Sequence, residues 1–129
     1  MRLAIVDLGC GNLGSVAIAF ERFGLSPQVT ADAEQMVSAD KILLPGVGAA
    51  GFAMERMAGL GLTNALRSLQ QPALGICLGM QLLFEKSEEE DVACLGIIPG
   101  EVRKLEPAPN RPVPHMGWSR LEVKDEGLG

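Results

Sequence analysis

Continuous apolar runs and stretches with helical spacing alternate along the first 84 residues of the chain. The apolar runs predict strands that are buried on both faces, as in a parallel sheet. Glycines at positions 24, 59 and 61 mark the ends or breaks of the helical stretches. The predicted strands cover residues 3–6, 27–30, 41–44 and the run after Pro72; the predicted helices cover 13–23, 52–57 and 62–69, with a short helix or turn over 31–38. This alternation indicates an α/β fold, a doubly wound parallel sheet with flanking helices.

The pattern changes after Phe84. Residues 85–91 are mostly charged, which favours a solvated helix end and loop. Short β-like pieces follow at 95–98, 101–105 and 116–123, with a proline-rich loop over 107–114, and they favour a short antiparallel extension beside the parallel sheet. The chain reaches Gly129 without the returning strand and helix that would finish such a layer. We therefore expect a single domain over 1–129 that lacks its C-terminal portion and leaves an apolar sheet surface exposed.

Composition narrows the class of protein. Of the 129 residues, 47% are hydrophobic and 21% charged, which is typical of one globular domain. The net charge of -5 argues against a general nucleic-acid or anionic-membrane binder, and no apolar run approaches the roughly 20 residues of a membrane span. Three widely spaced cysteines form neither a Cys-x-x-Cys pair nor a disulfide framework. These features predict a cytoplasmic protein without a metal site or cofactor.

The segment from Pro72 to Phe84 contains the strongest chemical signal. Gly75-x-Cys77-x-Gly79 lies where an apolar run passes into helical spacing, which is the pattern of a nucleophile elbow. The glycines allow a sharp turn, and a helix N-terminus favours the thiolate form of the cysteine. The N–H of Leu78 is placed to stabilise an oxyanion. The alternative is a small buried cysteine that only packs in the core.

Two further features favour catalysis over packing. Gln81 follows Cys77 by four residues, so one helical turn places its amide beside the sulfur, where a substrate is one candidate partner. Gly46, Val47 and Gly48 end the third strand, and exposed peptide N–H groups there could form an oxyanion or anion nest, although such a tetrapeptide alone is usually a turn. Because ligands bind at the carboxyl ends of parallel strands, the turn and the cysteine are expected to face one crevice.

Two other interpretations remain open from the residues alone. Gly9-x-Gly11-x-x-Gly14 formally matches a dinucleotide fingerprint, although glycines in a first βα turn also serve tight turns and close packing. His115 is the only histidine, and a cysteine nucleophile usually needs a histidine base, which spacing in the sequence does not exclude.

Four spaced motifs then resemble a known family. Residues 75–85 resemble the elbow of class I (triad) glutamine amidotransferases. With the 45–48 turn, the 114–118 segment and Asp7-x-Gly9-x-Gly11-Asn12-Leu13, they resemble the family of glutaminase subunits of imidazole glycerol phosphate synthase, an enzyme of histidine biosynthesis. Many sister amidotransferases have a Pro-Gly-Gly type of turn where this chain has Pro-Gly-Val-Gly. The resemblance runs from Met1 to about Val123.

The resemblance implies a reaction, a site and a partner. Cys77 would attack the side-chain amide of glutamine, release ammonia and leave a glutamyl thioester that water hydrolyses. Gly46, Val47, Gly48 and the Leu78 N–H would form the oxyanion and glutamine side of the pocket, and Gln81 would help to hold the substrate. Ammonia would pass to a (β/α)8-barrel cyclase, which makes imidazole glycerol phosphate and an aminoimidazole carboxamide ribonucleotide. The residues implied to face that partner are Asn12, His115, Met116, Gly117, Trp118 and Ser119.

The chain also departs from the family pattern. The family's catalytic His and Glu lie in a His-x-Glu motif, which no residue through Gly129 matches. Ser119 replaces the usual Asn after the tryptophan, and Leu8 stands where many relatives have Tyr. The last two changes affect the expected contacts with the cyclase, and the absent motif predicts that these 129 residues alone are inactive. Alternative hypotheses are a subunit of another class I amidotransferase and a non-catalytic partner-binding subunit.

Overall fold

The computed structural model describes residues 1–124 of the chain. Its elements alternate as predicted through the first half and then change to short strands. In chain order they are β1 (Leu3–Val6), α1 (Leu13–Glu21), β2 (Gln28–Thr30), α2 (Ala33–Ser38), β3 (Lys41–Gly46), α3 (Ala50–Gly59), α4 (Leu62–Arg67), β4 (Ala73–Cys77), α5 (Leu78–Leu82), β5 (Phe84–Ser87), a 3-10 turn (Glu89–Asp91), β6 (Val92–Ala93) and β7 (Ile98–Val102).

The first four strands form a parallel sheet in the order β2-β1-β3-β4. The chain adds β2 on one side of β1 and β3 on the other, so the strand order reverses beside β1. Such a reversal is the switch point at which doubly wound sheets bind ligands, outside the carboxyl ends of the strands. The predicted doubly wound parallel sheet is confirmed.

Both faces of this sheet are covered by helices, which explains its continuous apolar strands. Leu3, Ile5 and Leu43 point to one face, where residues of α1 pack on them. Their neighbours Ala4, Val6, Ile42 and Leu44 point to the opposite face and join the larger cluster, to which α2, α3, α4 and α5 contribute. The sheet therefore separates two apolar layers.

The run after Pro72 forms a strand as predicted, but the prediction that this strand is buried is wrong. β4 lies at the edge of the sheet, with Leu74 56% and Ile76 39% exposed. In register, Leu74 lies beside Leu43 on the face that α1 covers further along the sheet, and within residues 1–124 no strand pairs with the far edge of β4. The apolar sheet surface that the sequence predicts to be exposed is present at this edge.

The sequence predictions for the 85–91 segment and for the extension need correction. α5 ends at Leu82 because carbonyl groups at its end accept hydrogen bonds from a following loop, including Leu95 N–H to Leu82 at 2.9 Å. Phe84 therefore begins a strand and not a helix end. The resulting three-stranded sheet, β6-β5-β7, is mixed, because β5 pairs with β6 in antiparallel and with β7 in parallel orientation. Residues 116–123 are exposed and form no strand.

No helix within residues 1–124 is long and apolar enough to cross a membrane.

Candidate active site

Cys77 lies at the corner between β4 and α5. It is the last residue of the strand and the N-cap of the helix, with φ 55° and ψ -119°. A non-glycine residue seldom adopts a positive φ, and such strain concentrates at functional sites. Cys77 is also exposed. The local backbone is therefore that of a nucleophile elbow.

The two glycines that flank Cys77 are required by packing. A Cβ atom at Gly75 would lie 2.6 Å from the backbone nitrogen of Met80, and one at Gly79 would overlap the carbonyl oxygen of Leu44. Neither glycine has a positive φ, so the requirement is space and not backbone conformation. The glycines let the first turn of α5 rest directly on the backbone of the sheet, and this close approach fixes the position of the cysteine.

The turn after β3 lies beside this corner. Gly46 is the register partner of Cys77, and a Cβ atom on Gly46 would stand 3.1 Å from the backbone nitrogen of Gly79. Val47 is 56% exposed, and Gly48 has a φ of 98°. The structure thus brings the Gly46–Gly48 turn and Cys77 together at the carboxyl ends of neighbouring strands.

α5 is shorter than the sequence indicates. Leu78 is the first residue of α5, and its side chain is buried. Its backbone N–H therefore belongs to the first helical turn, where N–H groups have no partner within the helix. The helix has only five residues. Because the macrodipole is a sum over aligned peptides, its contribution at Cys77 is smaller than that of a helix that continued through Phe84.

Gln81 faces a cavity of about 800 Å³ between α5 and the second sheet. The other walls are the 87–90 turn, residues 102–105 and residues 112–115. The lining includes three acidic residues, Glu88, Glu89 and Glu90, and two basic residues, Arg103 and Lys104. The Glu88 Oε2 atom accepts a hydrogen bond from the Lys104 N–H at 2.7 Å. The cavity therefore presents both signs of charge one helical turn after Cys77.

One wall of this cavity contains a buried hydroxyl without a partner. Ser87 is fully buried, and its Oγ atom makes no hydrogen bond to any residue in the described part of the chain. Sequence reasoning missed Ser87 and the three glutamates because the 85–91 segment was interpreted as solvated loop. The sequence feature that could have identified these residues is their position soon after the elbow helix.

The residues implied to face a partner lie at the surface. Asn12 caps α1, since its Oδ1 atom accepts a hydrogen bond from the Ser15 N–H at 3.1 Å. Met116 is 84% exposed and Trp118 is fully exposed. His115 Nε2 lies 3.3 Å from Ser119 Oγ, and His115 lines the same cavity as Gln81.

The other cysteines differ from Cys77. Cys94 is buried, and this burial raises the pKa of its thiol, while a backbone hydrogen bond from Ser87 acts in the opposite direction. Cys10 is half-buried in the turn after β1. Of the three cysteines, Cys77 is the one that is exposed.

The glycines after β1 are used for packing. A Cβ atom at Gly9 would lie 3.1 Å from Nη2 of Arg56, whose Nε donates to the carbonyl oxygen of Leu8 at 3.3 Å. A Cβ atom at Gly11 would contact the Cα atom of Gly46 at 3.9 Å. Gly9 and Gly11 also have φ values of 73° and 100°, so the tight turn after β1 itself accounts for glycine at both positions.

Comparison with known families gives a match that is consistent with a cysteine at the β4–α5 corner. The family described as glutamine amidotransferase class-I matches residues 4–127. The chain belongs to the class I glutamine amidotransferases. The cysteine nucleophile is characteristic of this family, and the Gly75–Gly79 elbow holds a cysteine in that place.

Two curated relatives share more than half of their aligned residues with this chain. The chain is 55% identical over 119 residues to the imidazole glycerol phosphate synthase subunit HisH of Xylella fastidiosa strain Temecula1, covering 92% of this chain and 60% of the relative. It is 55% identical over 127 residues to the same-named subunit of Xanthomonas campestris pv. campestris, covering 98% of this chain and 64% of the relative. The chain thus spans about three fifths of the length of these relatives.

A solved structure supports the fold. A crystal structure of a glutamine amidotransferase superposes with a TM-score of 0.67 at 18% sequence identity, covering 78% of this chain and 55% of that one. At this identity the likeness shows that the two chains share a fold.

Proposed function

We propose that the protein carrying this sequence is the glutaminase subunit of an imidazole glycerol phosphate synthase. It hydrolyses glutamine to glutamate and supplies ammonia to a cyclase partner in the cytoplasmic pathway of histidine biosynthesis. The observation that carries the proposal is the exposed, strained Cys77 in register with Gly46. The 55% identity to relatives named subunit HisH supports the choice among class I amidotransferases.

In the proposed reaction the Cys77 thiolate attacks the side-chain carbonyl carbon of glutamine. The carbonyl oxygen becomes an oxyanion, which the N–H of Leu78 and the Gly46–Gly48 turn stabilise. Collapse of this intermediate expels the amide nitrogen, which leaves as ammonia with the proton that the general base had taken from the Cys77 thiol. Water then attacks the thioester, releasing glutamate and restoring the thiol.

The charged cavity fits the other end of the substrate. Free glutamine has an α-ammonium and an α-carboxylate group, and Glu89 on the one hand and Arg103 and Lys104 on the other offer groups of opposite charge to each. Gln81 lies on the elbow helix and lines this cavity, which supports the role of holding the substrate.

A cyclase of (β/α)8-barrel form is the proposed partner. The exposed segment from His115 to Ser119 and the N-cap Asn12 form the proposed contact surface. Two large apolar side chains, Met116 and Trp118, are exposed in it, and buried aromatic anchors commonly dominate the energy of such interfaces. Gly117 has a φ of 147° that favours glycine.

We propose that the base comes from the His-x-Glu motif of the family and not from His115. His115 is followed by Met116 and Gly117 and does not match the motif, and its ring lies beside Ser119. The assay therefore uses the longest protein in which residues 1–129 occur, so that the base can be present. Loss of one triad member typically costs about ten-thousand-fold in turnover.

The test combines active-site labelling with an assay. An electrophilic glutamine analogue should label Cys77, located by peptide mass spectrometry, and Cys77→Ser should abolish both labelling and release of glutamate. Cys10→Ser is the matched control and should leave both unchanged. Labelling at Cys10 or Cys94, or full activity of Cys77→Ser, would contradict the assignment.

The same assay separates the alternatives. Glutamate release that rises on addition of the cyclase supports the proposed subunit, whereas activity that the cyclase does not change favours another class I amidotransferase. Binding to the cyclase without glutaminase activity from the longest protein favours a non-catalytic subunit.

A further inference from the structure

The helix after the Gly46–Gly48 turn begins without a capping side chain of its own. The N-cap of α3 is Ala49, which makes no side-chain cap hydrogen bond, and the first turn contains no acidic residue. The first N–H groups of a helix need acceptors, usually a side-chain oxygen at the N-cap. The start of α3 therefore depends on a group from elsewhere.

Glu90 provides that group from the second sheet. Its Oε2 atom accepts a hydrogen bond from the Gly51 N–H at 2.9 Å, across a separation of 39 residues. Gly51 is the second residue of α3, one of the positions to which an N-cap side chain normally bonds. A Cβ atom at Gly51 would lie 2.6 Å from the same oxygen. Glycine leaves the space that the carboxylate occupies.

The turn that presents Glu90 is strained. Glu90 and its neighbour Asp91 have φ values of 62° and 50°, although neither is glycine. Asp91 is held by an ion pair with Lys86 at 2.6 Å, and its backbone N–H donates to the Glu88 carbonyl at 3.2 Å. Because such a conformation persists only where the surroundings impose it, the side-chain contacts of both residues fix the direction of Glu90.

The turn beside Cys77 is thus held at both ends. At one end Gly46 is pressed against α5, with only 3.1 Å between its Cβ position and the Gly79 nitrogen. At the other end the chain enters α3 through Ala49 and reaches the Gly51 N–H that Glu90 binds. A displacement at the start of α3 would pass directly into residues 46–48.

We infer that Glu90 is a positioning residue for the reaction: its carboxylate caps α3 from the second sheet and thereby fixes the Gly46–Gly48 turn beside Cys77. The inference rests on the proposed function, since the role of this turn in holding the oxyanion belongs to that proposal. Glu90 also lines the charged cavity, so the experiment must separate positioning from direct contact with the substrate.

The kinetic test uses the longest protein that contains this sequence, together with the cyclase. Glu90→Ala should lower kcat for glutamine by about tenfold to a hundredfold, since a small misplacement of an oxyanion donor has effects of this order. KM should stay nearly unchanged, and alkylation of Cys77 by iodoacetamide should keep its rate, because alkylation forms no oxyanion. Glu90→Gln keeps the side-chain shape and an acceptor oxygen, and it should show a smaller loss.

A matched control lies on the same helix. Glu55 is exposed on α3 and forms no ion pair or side-chain hydrogen bond with the residues that the structure describes. Glu55→Gln makes the same charge change as Glu90→Gln and should leave kcat and KM unchanged. A higher KM with unchanged kcat in Glu90→Ala would overturn the inference in favour of substrate contact.

Backbone hydrogen exchange gives a readout that does not depend on activity. Amides over residues 46–51 should exchange faster in Glu90→Ala and Glu90→Gln than in the wild type, and at the wild-type rate in Glu55→Gln. Unchanged exchange in both Glu90 variants overturns the inference. If the wild type does not hydrolyse glutamine, the proposed function fails and the exchange result alone decides whether Glu90 positions the turn.

Discussion

The four-stranded and the three-stranded sheets are stabilised by different interactions. β1 and β3 are buried between two layers of helices, with Ile5 and Leu43 almost inaccessible to solvent. β7 is largely exposed, and polar contacts fix its neighbours, such as Arg67 Nε to the carbonyl oxygen of Leu95 at 3.0 Å. One region depends on apolar burial, and the other joins it through a few buried residues, such as Cys94 and Leu95, together with directional hydrogen bonds. The candidate site lies where the two sheets meet, with Cys77 on β4 and the cavity against the second sheet.

The largest effect is expected at the elbow. Gly79→Ala should destabilise the fold by more than about 3 kcal/mol, because the new methyl group would overlap the backbone of Leu44. Urea denaturation measures the change. Gly59→Ala is the control, since a Cβ atom there meets nothing within 4 Å and alanine favours a helix by about 0.5–1 kcal/mol over glycine. Equal stability of the two variants would show that α5 does not rest on the sheet as described.

A smaller loss of stability is expected from truncating a leucine at the centre of the parallel sheet, and a still smaller one at its edge. Leu43→Ala should cost about 2–5 kcal/mol because it leaves a cavity between β3 and α1. Leu74→Ala removes the same side chain from the next strand, where it is 56% exposed, and should cost about a quarter of that or less. Similar losses in both variants, measured by thermal unfolding, would mean that Leu74 is covered in solution.

The smallest effect concerns acid stability of the second region. The hydrogen bond and charge of Lys86 hold the pKa of Asp91 below its usual value. A lowered folded-state pKa stabilises the fold above the ordinary carboxyl pKa, and this contribution is lost as the pH falls below about 4. Asp91→Asn should therefore show a smaller loss of stability between pH 7 and pH 3 in urea titrations. Because the pair is exposed, the difference should shrink in high salt.

The parallel sheet could be predicted from sequence because its signals are local and repeated. The apolar run at 3–6 and the glycine at 24 are sufficient to place a strand and the end of the following helix. The elbow was also predictable, since Gly75-x-Cys77-x-Gly79 is a specific pattern. The pattern does not show why residue 79 must be glycine. The reason is its close contact with Leu44 of another strand.

The second region was predicted less well because long-range contacts determine it. Phe84 has helix-compatible neighbours, yet α5 ends at Leu82 because the 95–98 loop binds its last carbonyls. Glu90 resembles a solvated charge in sequence, and its hydrogen bond to Gly51 spans 39 residues. Local periodicity contains no information on such pairings, so the parallel pairing of β5 with β7 and the charged cavity could not be predicted.

The strand order β2-β1-β3-β4 has a consequence for how the protein is made. As the chain leaves the ribosome, β2 meets β1, β3 pairs with β1 on its free side, and β4 pairs with β3. Within residues 1–124, each new strand of this sheet therefore finds its neighbour already synthesised. The nucleophile is placed on the last strand of this series. Folding during synthesis can thus complete the parallel support before Cys77 enters its strained corner.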